Sequence, residues 1–159
     1  MAAVTVAVGV HPPAPTGQTQ DMSIDPAARA RLLVQEILHP EEMNRFVAGC
    51  APTDPSDFAG LRLRTQAYLA WTRDEAARHG ALDIDTALAI GDALVRLLDE
   101  PDQYDAEQRA LLRGAVSYFV DTEDSANDVT DAIGFDDDVR VVNAVLDAVG
   151  RRDLRISLG

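Results

Sequence analysis

The sequence predicts an all-α protein, a compact irregular bundle of six or seven helices with an extended N-terminal arm. Three observations carry this reading. Apolar residues recur three and four positions apart across most of residues 25–150, as one buried face of a helix requires. Helix-start signals recur in the same stretch: Asp25 before Pro26, Asp54 before Pro55, and Asp105 three residues before Gln108. Stops follow at Pro40, Gly80, Pro101 and Gly150. The period is 3.6 and not a seven-residue heptad, which favours a bundle over a coiled coil.

Taken in order, residues 4–10 alternate valine with Thr5, Ala7 and Gly9, a period-two pattern that fits a short strand or an extended arm. Residues 11–20 hold Pro12, Pro13, Pro15 and Gly17 and read as a linker. Residues 1–22 are therefore an arm and linker, and residues 23–159 a single helical domain. Leu154, Ile156 and Leu158 alternate as the arm does, and pairing of the two ends would make a short terminal β-ribbon. The first helix opens at Asp25 and directs Leu32, Leu33, Ile37 and Leu38 inward until Pro40 ends it. A short helix to Ala48 follows, closed by Gly49. From Asp54 a helix of about 20 to 25 residues carries Phe58, Leu61, Tyr68 and Trp71 on its apolar face and ends at Gly80. Asp83 or Asp85 caps the next, with Leu88, Ile90, Leu94, Leu97 and Leu98 as a broad stripe. Asp105 and Gln108 form a capping box for a helix through Leu111, Leu112, Ala115, Val116 and Phe119. Ser125 and Asp128 repeat that geometry for a short helix to Gly134. Asp136, Asp137 and Asp138 open the last helix, with Val139, Val142, Val145, Leu146 and Val149 inward and Gly150 as its stop.

Composition bounds the function. Hydrophobic residues at 47% and charged residues at 26% suit a globular domain and are too apolar for a disordered acidic chain. The net charge of −13 repels nucleic-acid phosphates and anionic membrane surfaces, and Arg151 with Arg152 is the largest basic cluster. Neither nucleic acid nor membrane is expected as a partner. All fourteen basic residues are Arg, as a bacterial genome of high GC content would encode. The single cysteine, Cys50, cannot form an internal disulfide, and its loop position without a CxxC or a histidine partner reads as a small buried residue. With no signal-peptide pattern in residues 1–10, a cytoplasmic location is expected. No G-x-S-x-G elbow, G-x-G-x-x-G loop or Walker loop is present.

The strongest local signal is the stretch 118–139, which carries eight acidic side chains and no basic one. Asp124 and Asp128 lie four apart and would share one face of a short helix, while Gly134 allows a left-handed turn that returns Asp137 and Asp138 toward them. Converging carboxylates require a divalent cation (Ca²⁺, Mg²⁺ or Mn²⁺), Arg or backbone N–H partners, or protonation. The alternative is capping, since acids in first turns are stabilised by the helix dipole. Phe58, Tyr68, Trp71 and Phe119 lie on apolar faces and read as core, with a ligand pocket between them as the alternative.

The spacing of Tyr118, Asp124, Asp128, Gly134 and the pair Asp137 and Asp138 resembles the signature of the YkvA-like family of bacterial domains of unknown function. The resemblance covers residues 108–149, with the signature at 118–139. Thr122, Asn127 and Asp131 stand where family members usually carry proline. It implies a helical pair packed around the turn and no established activity. The expected role is that of a non-catalytic binding, accessory or regulatory protein, whose acidic helix–turn–helix face meets a basic partner protein or a second copy. The competing readings are a divalent-cation-dependent enzyme or metal-binding protein centred on the four aspartates, and a small-molecule binding or sequestering protein.

Overall fold

A computed structural model describes residues 24–80, 83–121 and 134–158. Among them are six α-helices: α1 (Pro26–Val34), α2 (Pro40–Gly49), α3 (Phe58–His79), α4 (Ile84–Leu98), α5 (Ala106–Val120) and α6 (Asp136–Ala148). There is no strand among the described residues. The boundaries follow the local chemistry. Asp83 accepts from the Thr86 N–H at 3.2 Å to start α4. At α5 the box is reciprocal, Asp105 accepting from the Gln108 N–H at 2.8 Å and Gln108 from the Asp105 N–H at 3.1 Å. Gly80 (φ 64°) and Gly150 (φ 76°) take the left-handed conformation that stops α3 and terminates the turn after α6.

α5 is the hub of the bundle, in contact with each of the other five helices. Its sequence permits this because apolar or small residues occupy most of its circumference: Ala110, Leu111, Leu112, Gly114, Ala115, Val116, Tyr118 and Phe119 are all buried, while Arg109, Arg113 and Ser117 mark the one partly open face. The tightest approach is to α2. A Cβ on Gly114 would lie 2.3 Å from Cys50 Sγ and 3.0 Å from Phe46 Cε2, and one on Gly49 would lie 2.9 Å from Ser117 Cβ. Two helix backbones therefore meet over a pair of glycines, with Cys50 Sγ donating to the Phe46 carbonyl at 3.3 Å. A similar contact joins α3 and α4, where a Cβ on Gly91 would lie 2.4 Å from Leu69 Cδ1.

Several sequence expectations are corrected. Gly49 is the last residue of α2 and closes nothing by a left-handed turn; its missing side chain serves the approach to α5. The buried face of α1 and the turn after it is Ala30, Val34 and Leu38, whereas Leu32 and Ile37 are 55% and 40% exposed. α1 ends at Val34, so periodicity extended through Ile37 took in two exposed residues, whereas Leu38 is buried and Leu33 packs against the core as expected. Trp71 is likewise 37% exposed. The arm and linker of residues 1–22, and the short helix expected from Ser125 to Gly134 apart from Gly134 itself, lie outside the described residues. Leu154 and Ile156 belong to no strand: Arg152–Leu154 is a single 3₁₀ turn followed by an irregular tail. The tail is held by the Asn143 side chain, which donates to the Ile156 carbonyl at 2.8 Å and accepts from its N–H at 2.9 Å. No helix among the described residues is long and apolar enough to cross a membrane.

The α2–α5 contact predicts that Gly114→Ala lowers unfolding stability by about 1–3 kcal/mol in urea, through overpacking. Gly60, whose Cβ position is open, is the internal control: Gly60→Ala should gain up to about 1 kcal/mol. Equal effects at the two positions would mean that helix propensity, and not the close approach, governs Gly114.

Candidate functional site

The acidic end of the bundle is built where α5 stops and α6 starts. Phe135 precedes α6 and offers no side-chain cap, so Asp136, Asp137 and Asp138 supply the negative charge that the first-turn N–H groups favour. Val139, Val142, Val145 and Leu146 then bury the opposite face of the helix, so the three aspartates are carried on a packed element. Asp137 forms an ion pair with Arg140 one turn on. At the other side Tyr118, near the end of α5, is buried, and the Arg45 guanidinium of α2 lies 4.7 Å from its ring centroid. Burial pushes the Tyr118 hydroxyl well above the usual tyrosine range, and the carboxylates of Asp138 and Glu42 push it further. A phenol held neutral in this way is a hydrogen-bonding and packing group, not a base at physiological pH. Glu42, Asp138, Arg45 and Arg140 are thus within electrostatic reach of one hydroxyl.

Of the four aspartates singled out by spacing, Asp137 and Asp138 share the first turn of α6, and Asp124 and Asp128 lie outside the described residues. Gly134 forms the turn leading into Phe135 and α6. Among the described residues no three His, Cys, Asp or Glu side chains are grouped to hold a metal ion. Arg140 occupies Asp137 in the way a cation would.

Three of the four aromatic candidates are brought together. Tyr68 stacks on Trp71 with centroids 5.6 Å apart and meets Phe119 edge-on at 4.9 Å. Phe119 in turn lies 6.3 Å from Phe135, so a ladder of rings runs from the surface of α3 to the base of the acidic turn. Phe58 is elsewhere, buried against Tyr104 at 6.4 Å. An open groove of about 360 Å³ lies between α4 and the C-terminal tail, lined in part by Asp92, Arg96, Leu154 and Ile156, with none of the four aromatics on its walls. Cys50 is buried, and burial pushes its thiol up to about 12, so it is no thiolate nucleophile near neutral pH.

Arg45, Phe135 and Arg140 belong to this end and were not singled out from sequence. Arg140 carried a signal, three residues after Asp137 on a predicted helix. Arg45 carried none, since it reaches Tyr118 from 73 positions away in sequence and only packing of α2 on α5 joins them. Comparison with known proteins finds no matching family model, no similar curated protein and no similar solved structure.

The tail that walls the groove depends on one amide. Asn143→Ala removes both hydrogen bonds to Ile156, so the Ile156 amide should exchange with solvent at least about fivefold faster, at a cost of about 1–3 kcal/mol of local stability. An unchanged exchange rate would show that the ion pairs of Arg152 and Arg155 with Asp147 hold the tail unaided.

Proposed function

We propose that the protein is a non-catalytic binding module, accessory or regulatory in role, that engages a basic segment of a partner protein through the acidic end formed by α5 and α6. The observation that carries this reading is an imbalance of charge on a rigid frame. Glu42, Asp136, Asp137 and Asp138 at this end stand against the guanidiniums of Arg45 and Arg140. Asp121 adds a further carboxylate at the C-terminus of α5, where the helix dipole disfavours it. Carboxylates in excess, fixed on a packed helix, suit the planar forks of arginines, which pair with them bidentately. Such charges act on association rate and on the choice of partner more than on raw affinity. On this reading, the spacing shared with the YkvA-like family frames the binding face and assigns no reaction to it.

A titration with a fluorescent Arg-rich peptide at low salt separates this face from general acidity. The triple variant Asp136→Asn, Asp137→Asn, Asp138→Asn should weaken binding at least about tenfold, and added salt should erase most of the difference. A control of equal charge change, Asp85→Asn, Asp92→Asn, Asp102→Asn on exposed positions, should weaken it by less than about threefold. Equal losses in the two triples would reduce the effect to net charge and sink the proposed site.

A further inference from the structure

We draw no further inference here: the strongest candidate, the open groove between α4 and the C-terminal tail, carries as many carboxylates (Asp92 and Asp153) as guanidiniums (Arg96 and Arg155) on its walls, so that its charge selects no ligand, and nothing in the structure shows what covers it.

Discussion

The constraint on which the rest depends is the packing of α5 against five helices at once. A helix surrounded in this way has only a narrow, partly open face for charge, and its middle holds Ala110, Leu111, Leu112, Gly114, Ala115 and Val116 with Arg113 as the one charged residue. The close contact at Gly114 and Gly49 fixes the distance between α2 and α5. Once that distance is set, Arg45 of α2 reaches the Tyr118 ring, and Arg109 at the start of α5 donates to the carbonyls of Thr53 at 2.9 Å and Tyr104 at 2.5 Å, tying down the two connections that flank α3 and α4. Each buried Leu, Val or Phe on α5 contributes about 1.5–3 kcal/mol at most before the cost of ordering the chain is set against it.

The same helix delivers chemistry to one end. Tyr118 and Phe119 are adjacent, and on a helix they point about 100° apart. Tyr118 turns toward α2 and the aspartates of α6, and Phe119 toward Tyr68 of α3 and Phe135. The end of α5 thus joins a charged corner to an aromatic one. Mutations that disturb the hub should for this reason be felt at the acidic face, though the two are separated by two turns of helix.

Much of the architecture was legible because it is written in local chemistry. Asp83, Asp105 with Gln108, Gly80 and Gly150 act within four residues of themselves, and each does what its type and spacing imply. What could not be read depends on distance in sequence. Gly49 looks like a stop until Ser117 and Gly114 are placed beside it. Leu32 and Ile37 look like core until α1 is seen to end at Val34. In the acidic stretch, Asp136, Asp137 and Asp138 lie in the first turn of α6, where their place as the opening of the last helix puts them. Arg140 pairs with Asp137 and is a sequence neighbour, whereas Arg45 reaches the nearby Tyr118 ring only through the packing of α2 on α5. On α3 the exposed Leu63 and Trp71 blur the single stripe that periodicity looks for.

The claim that α5 is the hub is tested most directly by native-state hydrogen exchange resolved by residue. The account predicts that amides of residues 110–118 exchange slowest in the protein and only through global unfolding, with a denaturant dependence equal to that of the whole chain. Slower exchange in α3 and α4, with α5 opening first and by itself, would contradict it.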